Sequence, residues 1–155
     1  MEIHSPAFRH TEAIPARYTC DGENISLPLS WSHVPKSARS LALICDDPDA
    51  SNGDWVHWIV YNNSPQLAAL PEHLPTTATA GVSEYKLTQG LNSWPRLGYG
   101  GPCPPSGVHR YFFRLYALDL PLGLPANLTK AKLLERIQGH VLAETELMGT
   151  YQRQR

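Results

Sequence analysis

Residues 41–45, Leu-Ala-Leu-Ile-Cys, form a nearly unbroken apolar run. It is short and does not alternate, which predicts a strand covered on both faces. Residues 55–61 and 110–118 are rich in aromatic and β-branched side chains, which suit a pleated surface. Near the C-terminus the period changes. Leu133, Leu134, Ile137 and Val141 recur at helical spacing behind Thr129, a residue able to cap, and Gly139 is a natural stop. From Val141 onward Ala143, Thr145, Leu147 and Tyr151 alternate with Glu144, Glu146, Thr150 and Gln152. That two-residue period favours a half-buried strand over a helix running on to Met148. Residues 71–80 and 89–105 read as long loops, and Cys20-Asp21-Gly22-Glu23-Asn24 as a turn.

The 14 prolines and 11 glycines are scattered, with no linker or repeat between halves. The expectation is one domain over residues 1–155, mainly β: an antiparallel β-sandwich with a single late helix. Apolar residues make up 42% of the chain, enough for one core. The net charge of −1 comes without any basic block, which excludes duplex nucleic acid as a partner. No basic segment followed by an apolar run opens the chain, so no signal peptide is expected, and no apolar stretch is long enough to span a bilayer. Cys20, Cys45 and Cys103 are an odd number with wide spacings. They predict free thiols in a reducing cytoplasm and no zinc-type pair.

Two segments concentrate polar chemistry, residues 46–58 and 98–111. On strands, Trp55 would share a face with His57, and His109 with Tyr111. Both histidines then lie at strand ends beside polar loops, where functional groups are usually presented. Imidazole N–H, phenolic O–H and loop N–H groups can converge on a phosphate or carboxylate. Gly100 and Gly101 permit close backbone approach, and Pro102, Pro104 and Pro105 stiffen the loop. Asp47 and Asp49 would repel an anion unless one orients a histidine or the ligand also carries an ammonium group, as phosphoethanolamine does. Each feature also has a plainer reading: a surface histidine, a turn at Asp47-Pro48-Asp49, and packing roles for Trp55, Trp58, Phe112 and Phe113.

A catalytic alternative draws Cys103, His109 and Asp47 as a nucleophile set, or uses the pocket for phosphoester hydrolysis. No helix follows Cys103 to lower its thiol pKa, and no His-x-x-x-His pair offers a metal site. The activation a nucleophile needs is missing; the expectation of a binding protein, not an enzyme, with no cofactor and no metal, rests mainly on the resemblance that follows.

The same segments resemble the phosphatidylethanolamine-binding protein family, most closely its bacterial, Raf-kinase-inhibitor-like branch. Asp47-Pro48-Asp49-Ala50 followed by Gly53-Asp54-Trp55-Val56-His57-Trp58 is similar to its first signature. Gly101-Pro102-Cys103-Pro104-Pro105 followed by Gly107-Val108-His109-Arg110-Tyr111 is similar to its second. Tyr18-Thr19-Cys20-Asp21-Gly22-Glu23-Asn24 and Leu147-Met148-Gly149-Thr150-Tyr151 resemble the terminal patterns of the branch. The resemblance implies a Greek-key β-sandwich with one or two short helices near the C-terminus. It also implies a pocket walled by Asp47, Asp49, Trp55, His57, Pro104, His109 and Tyr111, to which the loop reading adds Gly101. Implied ligands are phosphate, phosphoethanolamine or acetate-like ions; a kinase or other signalling partner and a homodimer are implied as well, without stable membrane insertion. Ser51 stands where the family usually has proline. A cis bond there would cost about 3–4 kcal/mol without proline, leaving the Asp47 loop open to another path. Leu27 departs from a Ser-Pro-Pro-Leu pattern and is expected to alter packing, not the pocket.

Overall fold

The computed structural model describes residues 1–154. Its strands are β1 (Glu2–His4), β2 (Leu29–Ser32), β3 (Ser40–Asp47), β4 (Trp55–Asn63), β5 (Ala69–Leu70), β6 (Thr79–Val82), β7 (Tyr85–Gln89), β8 (His109–Leu118) and β9 (Val141–Tyr151), and one α-helix, α1 (Lys130–Ile137), precedes β9. A six-stranded sheet runs β6-β7-β4-β3-β8-β9, and a three-stranded sheet runs β1-β2-β5. Every named pairing is antiparallel. The chain leaves β7 on one side of the central β4-β3 pair and re-enters the sheet as β8 on the other, a Greek-key crossing.

The apolar run at residues 41–45 explains the layering. Leu41, Leu43 and Cys45 face the core between the two sheets, while Ala42 and Ile44 face a second core with Leu133 and Ile137 of α1. β3 is buried along its whole length because the small sheet covers one face and the helix the other. Leu27 is fully buried in the inter-sheet core, a packing role as expected.

Thr129 caps α1 through its hydroxyl, which accepts from the Lys132 N–H at 3.3 Å. Gly139 takes a left-handed conformation (φ 82°) directly after the helix, and β9 pairs with β8 from Val141 to Tyr151. Two details depart from the sequence pattern. Leu134 and Val141 are exposed, so only Leu133 and Ile137 anchor the helix. The other helical turn is a 3-10 segment at Ala16–Tyr18, near the N-terminus. The loops also need correction: residues 79–80 begin β6 and Gln89 ends β7, a hairpin turning at Ser83 and Glu84. That turn lacks the Asn-Gly or Asp-Gly signal of tight hairpins.

The expectation of free thiols is corrected. Cys20 and Cys103 are joined by a disulfide, and Cys45 alone is free, buried in the core. With that correction the thiol argument for the cytoplasm falls away. Among the described residues no helix is long and apolar enough to cross a membrane.

Candidate functional site

Three strand ends meet at one edge of the large sheet: the end of β3 and the beginnings of β4 and β8. On β3, alternation sends Asp46 towards the helix side, where it pairs with Arg114 and Lys130, and Asp47 towards the inter-sheet side. On β8, Tyr111 and Phe113 lie in the inter-sheet core, and His109 follows the same parity.

β4 breaks its own alternation. Trp58 and Val60 face the inter-sheet core, and Ile59 and Tyr61 the helix-side core. Simple continuation would send His57 and Trp55 to the helix side. Instead the register passes from Cys45↔Trp58 to Asp46↔Val56, so His57 is an extra residue. This β-bulge reverses parity: Val56 packs with the helix-side cluster, and His57 joins Trp55 on the pocket side. Trp55 and His57 share a side as expected, but the bulge puts them there.

A cavity of about 310 Å³ results, lined by Asp47, Trp55, His57, Pro104, His109 and Tyr111, with Ala50, Ser51, Trp94, Cys103 and Pro105 completing its wall. The two imidazoles from distant segments therefore open onto one space. The peptide bonds around Ser51 are trans.

The ring nitrogens have defined partners. His57 Nδ1 lies 2.7 Å from the Gly100 carbonyl oxygen. A carbonyl only accepts, so Nδ1 carries the proton and Nε2 is the atom left for the cavity. His57 is 3% exposed as a residue, and burial pulls its pKa below the usual histidine value against the pull of the Gly100 bond and Asp47. His109 Nδ1 donates to Asp47 Oδ2 at 2.6 Å. The other carboxylate oxygen of Asp47 accepts from the Asp49 N–H at 2.7 Å. The bond to Asp47 fixes the His109 ring and leaves its Nε2 edge for the cavity. Burial, reinforced by Asp47, pushes the Tyr111 phenol well above its usual pKa, so it stays an O–H donor. The His57 ring stands edge-on to both Tyr111 and Trp94, with centroids 5.1 Å away in each case.

Two expected wall residues fall outside the cavity. Asp49 turns away and forms a two-pronged ion pair with Arg110, whose Nε and Nη2 donate at 2.9 and 2.8 Å. Hydrogen bonding to Arg110 holds the Asp49 carboxyl at about 2, below its ordinary 3.8. Gly101 donates its N–H to Asn24 Oδ1 at 2.9 Å and lines a neighbouring cavity of about 750 Å³. That cavity is larger, but the paired imidazoles and Asp47 converge on the smaller one. Its Gly101 is nonetheless demanded by close approach, since a Cβ there would lie 2.3 Å from Asn24 Oδ1.

Trp94 was not singled out by the sequence, where it sits inside an apparent loop. It forms the partition between the cavities. Only the missing side chain of Gly100 makes room for it, because a Cβ would meet the indole at 2.3 Å. Cys103, drawn above as a nucleophile, is tied up in the disulfide.

The Asp49 geometry makes a prediction. An acid with a depressed native pKa contributes stability that is complete above its unfolded value and lost as pH falls through its native value. Asp49→Asn should therefore flatten the fall in urea midpoint between pH 3.8 and about 2.

Comparison with known proteins supplies the rest. A UPF0098 protein of Methanothermobacter thermautotrophicus is 54% identical over 153 residues, covering 99% of both chains. A UPF0098 protein of Chlamydia trachomatis is 45% identical, again over 99% of each. A crystal structure from Chlamydia trachomatis described as a phosphatidylethanolamine-binding protein homologue superimposes with a TM-score of 0.89 at 44% identity, covering 99% of this chain and 97% of that one. Escherichia coli YbcL, described as a member of the mammalian family, superimposes at 0.88 with 28% identity, covering 99% and 98%. The family model for phosphatidylethanolamine-binding protein matches residues 4–152, from β1 to just beyond β9, and the chain belongs to that family.

Proposed function

We propose that the protein is a binding module for a small phosphate-type oxyanion. The observation that carries the reading is the meeting of His57 and His109, each held by its own Nδ1 bond, with Tyr111 on one cavity of about 310 Å³. That volume suits a small head, and Trp55, Trp94, Pro104 and Pro105 give it apolar walls. Asp47 has two roles in this reading. It orients His109, and its charge is available to an ammonium group, which favours zwitterions such as phosphoethanolamine. The family match supports the same reading by analogy.

The test is isothermal titration with inorganic phosphate and phosphoethanolamine at neutral pH. Removing one charge-assisted donor costs about 1.5–3 kcal/mol, so His109→Ala should weaken phosphate binding by about ten- to a hundredfold. No heat with either ligand, and no change in either histidine's NMR signals, would sink the proposal.

A further inference from the structure

The loop between β3 and β4 turns at Asn52-Gly53, just past Ala50 and Ser51 of the cavity wall. Both residues are exposed, and among the described residues the Asn52 amide forms no side-chain hydrogen bond. Gly53 takes a left-handed conformation (φ 97°), and a Cβ built on it would meet no heavy atom within 4 Å. One bond closes the turn, the Gly53 N–H donating to the Ala50 carbonyl at 3.1 Å. An unengaged amide carbon, the next residue's nitrogen and a glycine that lets the backbone swing are thus adjacent. The comparable sites are closed by their surroundings. Asp21 also precedes a glycine, but its carboxylate accepts from Tyr151 at 2.6 Å and from Arg153. A Cβ on Gly22 would lie 2.3 Å from the Ala16 carbonyl oxygen, so the backbone there has no room to swing. Asn92 is buried, its Oδ1 accepting from two backbone N–H groups and its Nδ2 donating to the Gly98 carbonyl. Asn62 is engaged at both ends of its amide, and Asn63 is fully buried on β4. Asn24 accepts from the Gly101 N–H and precedes β-branched Ile25, while Asn127 precedes Leu128, which is buried and donates its N–H to the Tyr61 hydroxyl.

We propose that Asn52 is a site of spontaneous covalent modification, deamidating through a cyclic imide to isoaspartate and aspartate. The Gly53 nitrogen bonds to Asn52 Cγ, and the side-chain nitrogen leaves as ammonia with the proton that Gly53 gives up. Water then opens the ring. Cleavage at Cγ restores the ordinary peptide bond and leaves aspartate. Cleavage at the main-chain carbonyl routes the backbone through the side chain and leaves isoaspartate. The net change replaces one amide NH2 by a hydroxyl, a gain of about one dalton and, once ionised, of one negative charge. Water is the sole co-reactant. The new carboxylate joins Asp47, Asp49 and Asp54 on the same stretch of chain. Isoaspartate also inserts a methylene into the backbone beside Ala50 and Ser51, which line the cavity. The modification needs no ligand and so stands apart from the oxyanion reading.

Native protein and protein unfolded in guanidinium chloride, aged in parallel at mildly alkaline pH, are digested and their peptides weighed. In the native protein the mass gain should appear first in the peptide that carries Asn52. Opening one exposed turn bond should slow it by about tenfold at most relative to the unfolded chain. The other asparagines should convert in the unfolded chain alone. Conversion should quicken as pH rises, because the attacking nitrogen must lose its proton. A carboxyl methyltransferase specific for isoaspartyl residues should label the aged native protein but not Asn52→Gln, whose longer side chain disfavours the ring. An intact Asn52 in the native protein, after the unfolded chain has converted its own, would overturn the proposal. So would earlier conversion at any other asparagine, or equal labelling of the Asn52→Gln protein.

Discussion

Replacing Cys20 and Cys103 together by alanine is expected to lower the unfolding free energy by about 2–4 kcal/mol. The bridge closes a loop across a sequence separation of 83, and so restricts the unfolded chain over more than half of its length. The native contacts beside it do not depend on the sulfur atoms. The Cys20 N–H donates to the Pro102 carbonyl at 3.1 Å, and the Tyr99 hydroxyl to the Tyr18 carbonyl at 2.6 Å. The variant should therefore fold with the same pairing of loops but melt earlier in urea. A second consequence falls on the pocket, because Cys103, Pro104 and Pro105 belong to its wall. With the tether gone that wall must be ordered by the ligand, and phosphate affinity should fall as part of the binding energy is spent on ordering. The check is a urea titration of the oxidised protein and the double variant, with phosphate titrated into both. Coincident unfolding midpoints would show that the bridge is open in solution or constrains nothing.

The parts of this fold that could be read in the sequence are those governed by local rules. The burial of residues 41–45 on two faces follows from their continuous apolarity, and the cap at Thr129 from side-chain chemistry. The switch from helix to strand after Gly139 follows from a change of period. The features that escaped depend on contacts between distant segments. No local signal distinguishes the pairing of Cys20 with Cys103 from two free thiols, since 83 positions separate them. Trp94 becomes a pocket wall only because Gly100 is folded against it. The His57 bulge is a misfit between β4 and β3, visible only once both strands are aligned. Asp49 illustrates the reverse case. It belongs to the signature segment, but Arg110 captures it from the edge of β8 and turns it out of the cavity. Motif matching located the pocket, and physical partners decided which motif residues enter it.

The adjacent acids Asp46 and Asp47 show how one strand serves both the site and the scaffold, and the scaffold side carries the larger energetic stake. Arg114→Ala should destabilise the fold by about 3–5 kcal/mol. Asp46 is buried, its side chain 2% exposed, and it is neutralised by Arg114 and by Lys130 at 2.6 Å. Lys130 also binds Asp54 at 2.6 Å, so two cations balance two carboxylates. Desolvation opposes the charge on Lys130, yet its bonds to Asp46 and Asp54 outweigh this and hold its pKa above the usual value. Losing Arg114 leaves one cation between two acids, with the unbalanced charge in the most enclosed position. It also strips the guanidinium, 4.7 Å from the ring centre, off Phe112. Asp46→Asn should cost less, because Arg114 and Lys130 are 28% and 26% exposed and can turn their charges to water. The ordering, not only the size, tests the argument. Urea midpoints for the two variants at neutral pH should place Arg114→Ala well below Asp46→Asn. The reverse order would mean that Arg114 and Lys130 depend on the carboxylate more than the buried carboxylate depends on either of them.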